Sequence, residues 1–226
     1  MNHNYEVEIK VLLGSKENRD AFKENLETSV EELKLISENA QLNHYFMWGD
    51  FAKLQKALDG KLSAERVDSF THITSLSGKH SVRTRYVNGG TILVIKLSVD
   101  DTTSSNGIQR LEWEEIFPED HIDEVDALLL ECDFEYQAKW SREREEYRFD
   151  HITVCIDKNA GYGYLAEFEM VVDSPDKSAA AEASLRGIIA RLWLQELDQD
   201  RLARMFAHYN ENWRDYYGTE KTFDIK

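Results

Sequence analysis

Apolar and polar residues alternate along much of this chain with the period of two that marks a strand with one buried face. Tyr5, Val7, Ile9 and Val11 alternate with Glu6, Glu8 and Lys10, and Gly14 ends the run. Ser15 then offers a side-chain cap for a helix to about Leu33, with Ala21, Phe22, Leu26, Val30 and Leu33 on one stripe. Lys34 to Trp48 reads as a second strand, and Gly49-Asp50 turns into a short helix, Phe51 to Leu58. From His72 strand patterns dominate. Ser81 to Val87 and Thr91 to Val99 flank Asn88-Gly89-Gly90, a hairpin signal. A polar loop, Asp100 to Gly107, leads into a strand ending at Phe117. Pro118 and Glu119 open a helix to about Cys132. Phe134 to Asp150 and His151 to Asp157 read as two tightly joined strands, Gly161-Tyr162-Gly163 as a turn, and Tyr164 to Val172 as the last strand. Two helices follow, roughly Lys177 to Leu197 and Gln199 to Tyr217.

Strands in hairpin-like succession predict a largely antiparallel sheet, and the added helices an α+β class. No repeat and no clean linker divides the chain. The expectation is one domain over residues 1–226, with the sheet in about 1–173 and a helical C-terminal annex in about 175–217.

Charge adds the next constraint. Nearly every predicted strand carries a charged face: Glu6, Glu8 and Lys10; Arg83 and Arg85; Arg110, Glu112 and Glu114; Arg142, Arg144, Glu146 and Arg148; Glu167 and Glu169. Any one of these describes a half-exposed antiparallel strand. Lys96 is different, because it sits in Ile92-Leu93-Val94-Ile95-Lys96-Leu97, a run apolar on both faces, where an ammonium needs a partner. Taken together, the charged faces fit an eight-stranded antiparallel barrel whose exterior is covered by helices and whose lumen collects the charges. Desolvated charges of both signs suit a ligand with many negative charges and a hard metal ion. Polyphosphate with magnesium meets that description: arginine and lysine hold phosphate oxygens, carboxylates hold the metal.

Composition excludes several alternatives. The 226 residues are 42% hydrophobic with two prolines, enough to build a core and unlike a disordered chain. With 27 Lys+Arg against 43 Asp+Glu, the net charge of −16 repels nucleic acid and anionic membranes. No apolar run approaches the roughly 20 residues of a membrane helix. Met1 to Glu6 has no basic region followed by an apolar stretch, so no signal peptide is expected. Cys132 and Cys155 are too few for a disulfide framework and lack metal-ligand spacing. They are expected to fill the core of a cytoplasmic protein. His44 reads as a surface or structural histidine, and Trp48, Trp113, Trp140 and Tyr162 as packing residues, with stacking on a base as the alternative.

These residues resemble a known family. Glu6-Val7-Glu8-Ile9-Lys10 is similar to the ExExK signature of the CYTH, or triphosphate tunnel metalloenzyme, superfamily. His44-Tyr45-Phe46 resembles its aromatic second strand, Ser81 to Arg85 its RxR strand, Leu93 to Lys96 its strand ending in lysine, and Arg110 to Glu114 its RxExE strand. Arg142 to Tyr147 resembles the segment with a further basic pair, and Ile156-Asp157 with Gly163 to Glu169 the closing D…GxFxExE pattern. Met47-Trp48 stand where the family often has Asp-Thr, and Leu165 where phenylalanine is common. Lys139 lies near enough to Arg142 to compete for the same place in the pattern.

The resemblance implies a tunnel that threads a triphosphate. Lys10, Arg83, Arg85, Lys96, Arg142 and Arg144 would bind phosphate oxygens. Glu6, Glu8, Glu112, Glu114, Glu167 and Glu169, with Asp157 as a further candidate, would bind Mg2+ or Mn2+. Glu6, Glu8 and Lys10 form the candidate catalytic strand, with Lys10 either a phosphate clamp or a base. A triphosphatase, in which water attacks the terminal phosphate, is the first expectation. A class IV adenylate cyclase making cyclic AMP and pyrophosphate from ATP is the second, and a non-catalytic polyphosphate-binding module the third. A lipocalin-like barrel for apolar ligands would need an apolar lumen, contrary to the charged faces. The expected partner is a triphosphate-containing small molecule, with no nucleic acid or membrane, bound by a monomer or homodimer.

Overall fold

The computed structural model describes residues 5–98 and 110–226. Among the described residues the chain forms β1 (Tyr5–Gly14), α1 (Lys16–Ser29), β2 (Lys34–Trp48), α2 (Phe51–Ala57), α3 (Ala64–Ser75), β3 (Lys79–Val87), β4 (Gly90–Ser98), β5 (Arg110–Phe117), α4 (Ile122–Glu131), β6 (Phe134–Phe149), β7 (Ile152–Asn159), β8 (Gly163–Val172), α5 (Ser178–Arg191) and α6 (Gln199–Tyr216). The loop expected over Asp100 to Gly107 lies outside the described residues. The strands are antiparallel and close in the order β1-β5-β4-β3-β2-β6-β7-β8, with β1 meeting β5 at the pair Glu6↔Arg110.

The period-two pattern has a direct packing consequence. On β1, Val7, Ile9 and Val11 point outward and are buried under Phe22 and Leu26 of α1 and Leu185, Ile188 and Ile189 of α5. Burying each such side chain stabilises by about 1.5–3 kcal/mol. On the other side, α2, α3 and α4 bring Leu54, Leu58, Phe70, Ile73, Val125 and Leu129 onto Val82, Leu93, Ile95 and Trp113. With helices covering the exterior, the alternate side chains have only the lumen to face.

The C-terminal helix packs differently. Leu202, Met205 and Tyr209 of α6 contact Ala138, Trp140, Leu12 and Leu165. Leu12 and Leu165 oppose one another on the face that carries Lys10 and Glu167. Helix α6 therefore covers a stretch where the inner face turns apolar. The tail straps back over the turn between β7 and β8: Gly161 N–H donates to Lys221 O (2.9 Å) and Phe223 N–H to Gly161 O (2.8 Å). Gly161 has φ +82°, and a Cβ there would lie 2.7 Å from the Tyr209 ring and 2.9 Å from Phe223. The close approach and the left-handed backbone both require glycine.

Some boundaries differ from expectation. Helix α1 stops at Ser29, because Val30 is extended (φ −115°) and caps it through Leu26 O. Helix α3 was not anticipated: Ser63 caps it through Arg66 N–H, and it buries only Phe70 and Ile73. The intervening charged residues hid that sparse stripe. Helix α4 begins at Ile122, behind a capping box of His121 and Glu124. Helix α5 ends at Arg191, and the stretch beyond it reaches back so that Leu197 N–H donates to Lys10 O at 2.8 Å. No helix among the described residues is long and apolar enough to cross a membrane.

Candidate functional site

Directly opposed residues in an antiparallel pair project to the same face, so the register identifies the lumen. Glu8 opposes Glu169 and Lys10 opposes Glu167. Glu167 opposes Cys155, and Asp157 opposes Arg144. Arg142 and Arg144 oppose Gln41 and Asn39 of β2. Asn43 and Tyr45 of the same strand oppose Arg85 and Arg83. Arg83 opposes Val94, Lys96 opposes Glu112, Val94 opposes Glu114, and the walk returns to β1 at Glu6. One face thus carries Lys10, Arg83, Arg85, Lys96, Arg142 and Arg144 together with Glu6, Glu8, Glu112, Glu114, Glu167, Glu169 and Asp157.

Within the lumen the charges are grouped unevenly. Arg144 Nε and Nη2 donate to the two oxygens of Asp157, each at 2.6 Å, and Arg142 Nη1 donates to Oδ2 at 3.0 Å. Arg144 also binds Glu167, and Lys10 Nζ donates to Glu167 Oε1 at 3.0 Å and contacts Glu8. Arg142 Nε donates to Gln41 Oε1 at 2.8 Å. Burial pushes the Glu167 carboxyl up, but Lys10, Arg144 and Arg142 outweigh it and hold the group well below the usual carboxylate range.

The second arginine pair is compensated unevenly. Burial lowers Arg83, but Tyr45, Glu112 and Glu114 outweigh it and hold the group above its usual range, whereas Arg85 is left short. Arg83 Nη1 donates to Tyr45 Oη at 2.9 Å, while Arg83 Nε is buried without a hydrogen-bond partner among the described residues. Arg85 Nε donates to Asn43 Oδ1 at 3.3 Å, and its Nη1 lies 3.8 Å from Glu114 Oε1. Burial, then the neighbouring charges of Arg83 and Arg142, lower Arg85 to about 9. Burial raises the Tyr45 phenol, but Arg83, Arg142 and Arg85 overcome this and bring it to about 8. Both shifts report one local fact, an excess of positive charge where β2 meets β3.

Negative charge is crowded elsewhere. Lys96 Nζ donates to Glu6 Oε2 at 2.7 Å and lies 3.0 Å from Glu112 Oε2. Burial, then the charge of Glu6 and a hydrogen bond with it, raise Glu169 to about 8. Burial also raises Glu112, against the pull of Lys96. At neutral pH the Glu6–Glu169 pair therefore holds a proton. Among the described residues, no three His, Cys, Asp or Glu side chains converge as a ready-made metal set. The donors nevertheless suit a hard divalent cation, being all oxygen and including two carboxyls that need positive charge between them. Asp157 has both oxygens committed to arginine and serves as their counter-charge.

Other residues lie outside this constellation. Lys139 opposes His44 on the outer face, with its Nζ 4.1 Å from the Tyr136 ring centroid, so Arg142 rather than Lys139 reaches the lumen. Trp140 stacks on Tyr209 at 3.8 Å and packs at a tilt on Tyr162 at 4.7 Å. Trp113 packs on Phe70 at 5.2 Å, and Trp48 is exposed. His44 is fully buried. Cys132 is in the outer core, whereas Cys155 is buried on the lumen face opposite Glu167, where burial raises its thiol to about 12. Sequence reasoning singled out no role for Asn39, Gln41, Asn43 and Tyr45. Their signal was the same period of two, in residues without formal charge.

A CYTH domain family model matches residues 73–202, more than half of the chain. The matched span begins after β1 and β2. The fold is shared with a conserved hypothetical protein from Pyrococcus furiosus, with TM-score 0.60, 18% identity and coverage of 84% of this chain and 91% of that one. A protein from Pyrococcus horikoshii OT3 gives TM-score 0.60 at 21% identity, covering 86% and 94%. A candidate adenylate cyclase from Vibrio parahaemolyticus gives 0.60 at 15% identity, covering 90% and 98%. At these identities the likeness is one of fold. No curated protein matches the chain.

Proposed function

The chain belongs to the CYTH domain family, and on that premise we propose that it hydrolyses the terminal phosphate of a triphosphate-containing small molecule with Mg2+ or Mn2+. The observation that carries this reading is the Arg83–Arg85 pair: Arg85 is pushed down to about 9 by burial and neighbouring arginines, and Arg83 keeps a buried guanidinium nitrogen with no partner among the described residues. Such a pair suits the oxygens of a phosphoryl group, whose charge grows at transfer.

In this reading the lumen holds the substrate between two poles. Arg83 and Arg85 take the terminal phosphate, with Tyr45 donating or accepting beside them. Lys10, Lys96 and Arg144 exchange part of their present carboxylate contacts for the remaining phosphates. Glu6, Glu169 and Glu112 would hold the divalent cation, with Glu8 and Glu114 beside them. Bound there, the cation supplies positive charge against the phosphate oxygens. Water forms the new bond to the terminal phosphorus and gives up a proton to a lumen carboxylate or to solvent. The bond to the bridging oxygen breaks, and orthophosphate and the diphosphate-terminated remainder leave. The added charge stays on oxygens facing the arginines.

A triphosphatase is favoured over a cyclase by the state of the aromatic residues. Trp140 is stacked on Tyr209, and Trp113 and Tyr162 are buried against the protein's own rings, so these three are engaged in packing rather than presented to adenine. The test is to incubate the protein with Mg2+ or Mn2+ and, separately, tripolyphosphate, thiamine triphosphate and ATP, and to resolve products by phosphorus NMR. Orthophosphate is the expected product. Pyrophosphate with cyclic AMP from ATP would replace this reading with a cyclase. Binding without turnover under either metal would replace it with a binding module.

A further inference from the structure

Behind the lumen pair Arg83 and Arg85, on the outer face of the barrel, lies a buried polar cluster that the proposed chemistry does not use. Asp126 of α4 is 1% exposed, and Thr84 and His44 are as deeply buried. Thr84 Oγ1 donates to Asp126 Oδ1 at 2.6 Å, and Tyr136 Oη donates to Oδ2 at 2.7 Å. His44 Nδ1 lies 2.6 Å from Asp126 Oδ2, and its Nε2 lies 2.8 Å from Tyr217 Oη at the end of α6. An ionised carboxylate only accepts, so Nδ1 carries the hydrogen, and in the neutral ring Nε2 accepts from the Tyr217 hydroxyl. Lys139 Nζ stands 3.9 Å from the same carboxylate.

The placement of this cluster is what gives it meaning. His44 and Thr84 are a directly opposed pair. The pairs on either side of it are Asn43↔Arg85 and Tyr45↔Arg83, whose side chains point the other way, into the lumen. Asn43 and Tyr45 are also the residues that accept hydrogen bonds from Arg85 and Arg83. The outer pair is thus the middle rung of a three-rung ladder, and the arginine grip is formed by the two rungs flanking it. A single carboxylate holds both ends of the middle rung and, through Tyr136, a third strand.

We propose that Asp126 is a positioning residue for the lumen arginines: through Thr84 and His44 it fixes the separation and twist of β2 and β3, and so the direction in which Arg83 and Arg85 present their guanidinium groups to a phosphate. The inference rests on the reading of that pair as the phosphate grip. It also explains why a carboxylate is kept where an apolar side chain would cost less desolvation. Apolar packing would join α4 to the sheet without fixing the angle of one rung.

The test pairs Asp126→Asn and Thr84→Val with Leu185→Ala, a core truncation in α5 that touches neither strand. The first readout needs no ligand: hydrogen exchange at the Arg85 Nε–Hε group, followed by nitrogen-15 NMR. The second is the Kd for tripolyphosphate by calorimetry. Exchange about tenfold faster and binding about tenfold weaker are expected for Asp126→Asn and Thr84→Val, with neither change in Leu185→Ala. Wild-type exchange in a folded Thr84→Val protein would overturn the inference, even if Asp126→Asn does not fold. Equal changes in Leu185→Ala would overturn it too, since general loosening would then explain them. If the wild type binds no tripolyphosphate, the function proposed above falls, and the exchange measurement still decides the clamp.

Discussion

The lumen contains two arginine pairs written alike in the sequence, Arg83-Thr84-Arg85 and Arg142-Glu143-Arg144, and they behave as opposites. Arg142 and Arg144 oppose Asn159 and Asp157, and are locked onto the Asp157 carboxylate. Arg83 and Arg85 oppose Val94 and Ile92 on one side and Tyr45 and Asn43 on the other. The first pair is neutralised by its own strand neighbour. The second has no carboxylate locked onto it: Arg83 is held by Tyr45 and the charges of Glu112 and Glu114, and Arg85 is left with excess positive charge that suits an anionic ligand. Glu6 and Glu169 mirror it with the opposite sign, two crowded carboxyls held together by a proton. An identical local motif therefore becomes a structural brace or a binding site according to what the register places across from it.

The largest effect that can test this contrast is on stability. Asp157→Ala would leave two buried guanidinium groups with Glu167 as their remaining carboxylate, at a cost of about 3–5 kcal/mol. Urea unfolding measures it, and a loss below about 1 kcal/mol would show that the first pair is not the brace it resembles. Arg85→Ala should do the reverse. Its removal relieves repulsion from Arg83 and Arg142, so stability holds or rises, while triphosphate affinity drops by about 1.5–3 kcal/mol. Calorimetric titration beside the same unfolding assay separates the two. Unchanged affinity would take Arg85 out of the grip.

The contrast was only partly legible beforehand. Alternation on β1, β3, β5, β6 and β8 showed which residues share a face, because period two needs no tertiary information. Lys96 stood out because its surroundings are apolar on both sides. The difference between the arginine pairs was invisible, since it depends on β6 pairing with β7 and β3 with β2 and β4, which no single strand encodes. The clamp at Asp126 was hidden for a related reason. Asp126 reads as one acidic residue in an acidic helix, Ile122–Glu131, and only packing reveals that it is buried. The three amides of β2 were passed over, and Tyr45 was placed on its strand without a role, because uncharged residues do not announce a lumen.

A smaller effect concerns the carboxylate pole. The Glu169 carboxyl titrates near 8 in the folded protein against an ordinary value of 4.5. Its folded pKa is raised, so the cation-free protein loses stability as pH climbs from about 4.5 to 8. A divalent cation must displace that proton. Mg2+ affinity measured without substrate should then weaken by about tenfold for each pH unit below 8, with proton release visible as a dependence of the calorimetric heat on the buffer. Glu169→Gln should bind Mg2+ weakly and without that slope. A slope that persists in the variant would assign the proton elsewhere.

The smallest effect probes the arginine pole itself through Tyr45. Its phenol is held near 8 by Arg83, Arg142 and Arg85 against burial, whereas burial moves Tyr136, Tyr162, Tyr209 and Tyr217 upward. Ultraviolet titration should show one tyrosine ionising near 8, absent from Tyr45→Phe. Because the folded pKa lies below the ordinary value of 10, phenolate formation adds stability as pH rises from about 8 to 10, and that increment should vanish in the variant. Below pH 8 the substitution removes one hydrogen bond from Arg83, about 1 kcal/mol. A bound triphosphate neutralises the arginines, so it should return the Tyr45 titration toward 10. A tyrosine already titrating near 10 in the free protein would mean that the second pair is as well compensated as the first, and the distinction between grip and brace would be lost.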